Sequence, residues 1–270
     1  MRTKVEDENR FENDASRYAT YLDTPEGRLR ADLTFANLEE FLPSPNGMKS
    51  LHALDVGCGT GATSVRLARL GFEVSLFDAS SAMLDLAKRN AVEAGVEEKI
   101  AIKRGEASHL ADVFEPAPFD IVLCHNVLEY VDDPVAALRS FLGLMRNSSA
   151  ILSLLVRNQA GEVLKAALNN GDLAAAEQNL STEWGRESLY GGDVRFFTPE
   201  SLEAMLKEAS FTIVARRGVR VVSDYLPAKV SRESEYERIF ALERKLAKRQ
   251  EFFGMARYIH YFASPTSRGK

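Results

Sequence analysis

Leu54-Asp55-Val56-Gly57-Cys58-Gly59-Thr60-Gly61 is an apolar run that breaks into a turn with glycine at every second position. Glycine carries no Cβ and accepts positive φ, so a turn of this kind lets a ligand approach the main chain closely. The residues before it read as a strand, His52 to Gly57, and those after it as a helix, Gly61 to Leu70. The next β-rich run, Glu73 to Asp78, ends on a carboxylate, where an acid can accept both hydroxyls of a ribose. Strand, turn, helix and downstream acid together mark a nucleotide-type site. The spacing is Gly-x-Gly-x-Gly, whereas a dinucleotide fold prefers Gly-x-Gly-x-x-Gly with a helix N-terminus aimed at a pyrophosphate.

Outward from this turn, β-rich runs alternate with helical patterns. Further strands are read at Ile100 to Arg104, Phe119 to His125 and Ala150 to Val156, and helices at Ser81 to Ala94 and Pro134 to Met145. The helices carry apolar residues at steps of three and four, as in Met83, Leu84, Ala87 and Ala91. Such alternation predicts an α/β fold with a doubly wound, mostly parallel sheet, here seven-stranded. The N-terminal segment reads as a helical cap over residues 1–45, closed by Pro43-Ser44-Pro45, and residues 157–197 as an inserted helical lid. Thr198-Pro199-Glu200-Ser201 starts a helix running to about Ala209, with Pro at its first position. A β-run, Phe211 to Val222, interrupted at Gly218, leads to a charged helix over Arg232 to Arg249 and a last strand, Ala256 to Ala263, which allows an antiparallel C-terminal strand. The 270 residues are expected to form one domain.

With 45% hydrophobic and 27% charged residues the chain can bury a core and is not a disordered tail. Its longest nearly apolar run, Ala150 to Val156, is far short of the roughly 20 residues of a membrane-spanning helix. The first residues alternate charges and lack the apolar stretch of a secretory signal, so the cytoplasm is the expected location and no membrane partner is expected. Cys58 and Cys124 are too few for a disulfide scaffold and lack the spacing of a zinc site, so no metal is expected. The net charge of −5 is unevenly placed: residues 216–270 hold 13 Lys and Arg against 6 Asp and Glu, while residues 1–215 hold 21 against 33. A local +7 suggests an anionic partner for the C-terminal part; its plain alternative is a solvated charged helix face.

The glycine turn preceded by Asp55, Gly105-Glu106-Ala107 after the third strand and His125-Asn126-Val127-Leu128-Glu129 after the fourth resemble the class I methyltransferases that use S-adenosylmethionine (SAM). Thr24-Pro25-Glu26-Gly27-Arg28-Leu29-Arg30, His125 to Pro134, Gly218 to Leu226 and Arg257-Tyr258-Ile259-His260 are similar to the tRNA 5-carboxymethoxyuridine methyltransferases, which turn a wobble-uridine carboxylate into its methyl ester. The likeness spans most of the chain except residues 157–197, where this sequence reads Thr182-Glu183-Trp184-Gly185-Arg186-Glu187.

The resemblance implies a Rossmann-like fold, SAM as cofactor, S-adenosylhomocysteine as product and tRNA as partner through the basic C-terminal segment. Arg30 matches the residue that reaches the SAM carboxylate, Gly57 and Cys58 offer backbone, Asp78 contacts the ribose, and Glu106 and Ala107 contact the adenine. Asp55, Gly59, Gly61, Ala79 and Met83 complete the cofactor set, and His125 borders the methyl. An acceptor carboxylate is already ionised at neutral pH and needs no general base; holding the reactants in attack geometry supplies roughly 7–11 kcal/mol. A cation must orient it: Arg220 first, then Arg257, then Arg195. Tyr225, Tyr258, His260 and Asp224 are the further substrate candidates, with Arg220, His125 and Tyr225 as the catalytic set. For Arg257 the plain alternative is ion pairing across strands, and for His125 a satisfied histidine at a strand end. Two other activities remain open: a small-molecule O- or N-methyltransferase on the same fold, with residues 157–197 as a closing lid, and a non-catalytic SAM-binding module.

Overall fold

The computed structural model describes residues 15–43, 50–116, 118–187 and 191–267. Nine strands are present among them: β1 (His52–Val56), β2 (Glu73–Asp78), β3 (Ile100–Arg104), β4 (Ile121–His125), β5 (Ile151–Arg157), β6 (Trp184–Arg186), β7 (Asp193–Arg195), β8 (Phe211–Val219) and β9 (Tyr258–Pro265). Seven of them form one sheet in the order β3-β2-β1-β4-β5-β9-β8, and β6 and β7 make a separate antiparallel hairpin. Strands β1 to β5 run parallel, and β9 lies antiparallel to both β5 and β8. The expected sheet, with its antiparallel C-terminal strand, is therefore present.

Alternating side chains of the central strands enter different layers, as the two-residue period of a strand requires. Leu54, Val56, Val122 and Cys124 join the core on one face, while Ala53, Leu76, Ile121 and Leu123 join the core on the other. Both faces of the sheet are thus covered, which is why these segments read as nearly continuous apolar runs. The direction of winding reverses between β1 and β4, and the crevice beyond the carboxyl ends of strands at such a reversal is where open α/β sheets bind ligands.

The α-helices among the described residues are α1 (Ala15–Leu22), α2 (Pro25–Glu39), α3 (Ala62–Arg69), α4 (Ser81–Glu93), α5 (Pro134–Leu144), α6 (Gln159–Leu164), α7 (Leu173–Leu180), α8 (Pro199–Glu208), α9 (Tyr236–Leu246) and α10 (Gln250–Phe253). Their starts are chemically specified. Thr24, Ser80 and Asp133 each accept a backbone N–H from the first turn, and Thr198 and Ser201 form a reciprocal capping box. A third apolar cluster, Leu29 and Leu33 of α2 with Leu155, Val219, Ile239 and Tyr258, fastens α2 to β5, β8, β9 and α9.

Several boundaries differ from expectation for identifiable reasons. Strand β4 starts at Ile121, with Phe119 only bridging Met145. Strand β8 stops at Val219 rather than Val222, because Arg220 takes a left-handed conformation at φ 60° and ends the ladder. The helix expected over Arg232 to Arg249 is confined to α9. The insertion is not wholly helical: it holds α6, a π-helical turn over Lys165–Asn169, α7 and the β6–β7 hairpin. Residues 1–14 of the expected cap and residues 44 and 45 of its closing Pro-Ser-Pro lie outside the described residues.

The basic C-terminal segment folds back on acids from earlier in the chain. Glu40 pairs with Arg217 at 2.9 Å and Lys248 at 2.6 Å, Glu203 with Arg216 at 2.6 Å, and Glu162 with Arg257 at 2.6 Å. Much of the local +7 is thereby compensated within the fold. No helix among the described residues is long and apolar enough to cross a membrane.

Candidate active site

A cavity of about 1050 Å³ opens at the carboxyl ends of β1, β2, β4 and β5, reached from above by Tyr18 and Tyr21 of α1 and by Lys165 and Asn169 of the insertion. In a π-helical turn residues four apart nearly eclipse, which brings Lys165 and Asn169 to the same side. The glycine turn forms its floor. Gly57, Gly59 and Gly61 all have positive φ, at 64°, 53° and 71°. A Cβ at Gly57 would stand 2.2 Å from a methyl of Val127, and one at Gly59 would stand 3.3 Å from the Tyr18 ring. Asp78 ties the turn to the end of β2: its two carboxylate oxygens accept the N–H groups of Gly59 and Ser80, each at 2.9 Å.

Of the expected cofactor residues, Arg30, Gly57, Gly59, Asp78, Ala79, Met83, Glu106, Ala107 and His125 line this cavity. Asp55, Cys58 and Gly61 stand behind its wall. Asp55 is buried and accepts the Ser64 hydroxyl at 2.6 Å; burial pushes its carboxyl up to about 7, the Ser64 bond opposing and the Asp78 charge adding. Cys58 packs into the core beneath the turn, where burial raises its thiol and leaves it inert. Gly61 supplies the left-handed residue that opens α3. The guanidinium of Arg30 donates to Tyr18 Oη at 2.8 Å and lies 5.1 Å from the Tyr21 ring centroid.

The other end of the cavity is a mesh of buried charge. Arg220 donates to Asp224 through Nε at 2.6 Å and to the Tyr21 hydroxyl at 3.1 Å. Arg257 pairs with the other Asp224 oxygen at 3.1 Å and with Glu162 at 2.6 Å. Arg157 pairs with Glu162 at 3.1 Å and Glu187 at 2.9 Å. Tyr258 stands at the hub. Burial alone would raise its phenol, but Arg157, Arg30, Arg257 and Arg220 together hold it below the usual tyrosine range. Four guanidiniums, of Arg30, Arg157, Arg220 and Arg257, meet three carboxylates, of Glu162, Glu187 and Asp224, at this end, which suits an anionic ligand.

Not every substrate candidate reaches the cavity. Arg220, Asp224, Arg257 and Tyr258 do. Tyr225 does not: its hydroxyl donates to the Gly161 carbonyl at 3.3 Å and burial pushes its pKa up to about 12. His260 is fully buried, bonded to the Ser153 hydroxyl at 2.8 Å. Arg195 stacks over Trp184, 4.7 Å from its ring centroid, away from the wall. Asp133 caps α5, while Glu129 is buried and accepts from Asn126 and the Arg157 N–H.

Residues unmarked by sequence reasoning complete the site. Glu243 of α9 is fully buried and accepts three consecutive backbone N–H groups, Val221 at 2.6 Å, Val222 at 2.9 Å and Ser223 at 2.7 Å. This clasp holds the turn that carries Arg220. Glu243 shares a buried stripe with Ile239 and Ala247 at four-residue steps, and an acid on an apolar stripe is the signal that marks it.

A methyltransferase domain family matches residues 48–238. The chain belongs to the SAM-dependent methyltransferases. It is 31% identical over 255 residues to the tRNA 5-carboxymethoxyuridine methyltransferase of Escherichia coli K12, covering 92% of both chains. It is also 28% identical over 200 residues to a ubiquinone biosynthesis O-methyltransferase of Alkalilimnicola ehrlichii, covering 72% of this chain and 75% of that protein. Among solved structures, a SAM-dependent methyltransferase of Thermotoga maritima, described as a possible histamine N-methyltransferase, aligns with a TM-score of 0.64 at 15% identity, over 95% of this chain and 98% of that one. The CcbJ methyltransferase of Streptomyces caelestis aligns with a TM-score of 0.64 at 16% identity, over 96% and 98%. These structural likenesses concern the fold.

The methyltransferase cavity fits SAM on its own geometry. Gly57 and Gly59 line it with main chain that carries no side chain, a carboxylate stands at the end of β2, and a guanidinium faces the cavity from α2. Among the described residues no group of three or more His, Cys, Asp or Glu could hold a metal ion.

Proposed function

We propose that this methyltransferase esterifies the carboxylate of 5-carboxymethoxyuridine at the tRNA wobble position. The observation that carries the reading is the arginine-rich end of the cavity, lined by Arg220, Arg257, Arg157 and Arg30 around Tyr258. The 31% identity to a tRNA 5-carboxymethoxyuridine methyltransferase supports the same acceptor. SAM, when bound, supplies an activated methyl group to an oxygen nucleophile. Asp78 holds its ribose, Glu106 and Ala107 its adenine, and Arg30 its carboxylate, while the backbone of Gly57 and Gly59 lets it sit close. Arg220 grips the acceptor carboxylate, its planar fork matching two carboxylate oxygens. Asp224 keeps that fork in one orientation, and Arg257 holds Asp224 from behind.

No general base is required, and the histidine at the cavity is ill suited to be one. Burial, reinforced by Arg30, pushes the His125 pKa down to about 3. A hydroxyl or amine acceptor needs a base near neutrality, whereas a carboxylate does not. Catalysis here is placement. Incubation with radiolabelled SAM and, separately, tRNA carrying 5-carboxymethoxyuridine, unmodified tRNA and a small-molecule metabolite pool tests the reading. Label is expected in the first; label in the metabolite pool alone overturns it in favour of a small-molecule methyltransferase.

A further inference from the structure

His125, Ser153 and His260 come from three neighbouring strands and form a chain of hydrogen bonds running inward from the cavity. In the sheet register His125 of β4 faces Leu155, Leu155 faces His260 of β9, and Ser153 of β5 faces Phe262. His125 Nε2 lies 2.9 Å from Ser153 Oγ, and the same oxygen lies 2.8 Å from His260 Nε2. Ser153 and His260 are fully buried, and His260 Nδ1 has no hydrogen-bond partner among the described residues.

A serine hydroxyl has one hydrogen, so the direction of both bonds follows from counting donors. If Ser153 donated to His260, the His260 hydrogen would sit on Nδ1 as a buried N–H without an acceptor. If both imidazoles donated to Ser153, its own hydroxyl hydrogen would be stranded. Orphaned buried donors are rarer and costlier than an under-used lone pair. The remaining arrangement strands only a lone pair: His260 Nε2–H donates to Ser153, and Ser153 donates to His125 Nε2. His125 then carries its hydrogen on Nδ1. His125 lines the cavity, and its Nδ1 has no protein partner among the described residues. Arg30 lies on the same side, its guanidinium 3.4 Å from Oδ1 of Asn126, the next residue after His125.

We propose that Ser153 and His260 are positioning residues that fix the hydrogen of His125 on Nδ1, so that His125 offers a neutral N–H donor, beside Arg30, to a ligand carboxylate. Two ligands bring a carboxylate to this cavity, the methionine end of the cofactor and the acceptor of the proposed reaction. Only the second rests on the function proposed above. With its Nε2 lone pair occupied by Ser153 and its Nδ1 protonated, His125 has no lone pair facing the cavity with which to accept a proton. The relay therefore makes His125 a donor and withdraws it as a base.

Nitrogen-15 NMR of the histidine-labelled wild-type protein tests this directly. A neutral His125 ring with its hydrogen on Nδ1, unchanged across neutral pH, is expected; a hydrogen on Nε2, or a ring that titrates near neutrality, overturns the proposal. His260→Phe and Ser153→Ala should release His125 into mixed tautomers, whereas His260→Gln, whose amide N–H can donate to Ser153, should hold Nδ1–H. A tautomer indifferent to both His260→Phe and Ser153→Ala also overturns the relay. Addition of S-adenosylhomocysteine, and separately of 5-carboxymethoxyuridine nucleoside, should move the Nδ1–H resonance in one arm and so name the carboxylate. Ser153→Ala should weaken that same ligand about tenfold. Silence in both arms overturns the ligand contact, while silence of the nucleoside arm alone, with the tautomer intact, counts only against the tRNA acceptor.

Discussion

Replacing Glu243 with Gln should unfasten the Arg220 turn while leaving the cofactor half of the cavity alone. One carboxylate oxygen takes the Val222 and Ser223 N–H groups at 2.9 and 2.7 Å, and the other takes Val221 N–H at 2.6 Å. A glutamine carbonyl can keep the first two bonds, but its NH₂ then meets the Val221 N–H donor to donor. One buried charge-assisted bond is lost and one N–H is orphaned, about 1.5–3 kcal/mol in all. For a chain of this size that lowers Tm by about 3–5 °C. The cost falls next to Arg220, whose left-handed backbone stores about 1–2 kcal/mol that the clasp offsets. Urea unfolding followed by circular dichroism measures the first effect. Calorimetry with S-adenosylhomocysteine should find affinity nearly unchanged, since Asp78 and the glycine turn hang on β1 and β2, while turnover falls. Stability within about 0.5 kcal/mol of wild type, the range of ordinary surface changes, would refute the clasp.

Asp78→Asn replaces one of two oxygens that accept the Gly59 and Ser80 N–H groups, and should weaken S-adenosylhomocysteine roughly 10- to 100-fold by calorimetry; unchanged affinity removes Asp78 from the ribose. Arg220→Ala should lower turnover on modified tRNA about 100-fold or more with little change in cofactor affinity, and Arg220→Lys should recover little of it, because an ammonium has no fork; an equal loss of cofactor binding would assign Arg220 to the other half of the cavity. Neutral His125, at the cavity, and fully buried His260 bind protons less readily folded than unfolded, so the stability they allow is full above about pH 6.5 and is lost on acidification, for His125 by about 1.4 kcal/mol per pH unit. Asp55, raised to about 7 by burial, acts oppositely: it binds a proton in the fold between about pH 4 and 7, so its contribution falls as pH rises. Asp55→Asn should therefore steepen the acid-side loss between pH 5 and 6 by about 1.4 kcal/mol per unit in urea titrations, and an unaltered slope would contradict the buried acid.

What was legible in the sequence was local. The glycine turn, the acid ending β2 and the apolar runs of β1, β4 and β5 are consecutive residues whose own geometry announces them, and nine of the twelve cofactor candidates line the cavity. The three that do not, Asp55, Cys58 and Gly61, belong to the same motif but support it from behind, because alternate residues of a strand and its turn face opposite ways. The acceptor end is built from distant pairings. Arg157, Glu162, Glu187 and Tyr21 acquire meaning only once β5, the insertion and α1 converge, and no spacing in the chain encodes that meeting. Glu243 and Ser153 did carry a signal, a lone polar residue on an apolar stripe and in an apolar strand, which reads as a buried polar group with a specific partner. The β6–β7 hairpin escaped because its three-residue strands show too little alternation to register. Tyr225 and His260 were drawn toward the substrate by their neighbours in sequence, whereas the 3₁₀ turn at Ser223–Tyr225 and the inward face of β9 turn them into the protein.

The central claim is that the methyl group is transferred to a carboxylate on tRNA. The most direct measurement is the fate of the product: tRNA carrying 5-carboxymethoxyuridine is methylated with the purified enzyme, digested to nucleosides, and the modified uridine is weighed by mass spectrometry before and after mild alkali. The account predicts a uridine heavier by one methyl group that reverts to the starting acid on alkaline treatment, formed at a rate nearly flat from about pH 6.5 to 9 because no base must titrate. A methylated product that survives alkali, or a rate that climbs through a base's pKa, would contradict it.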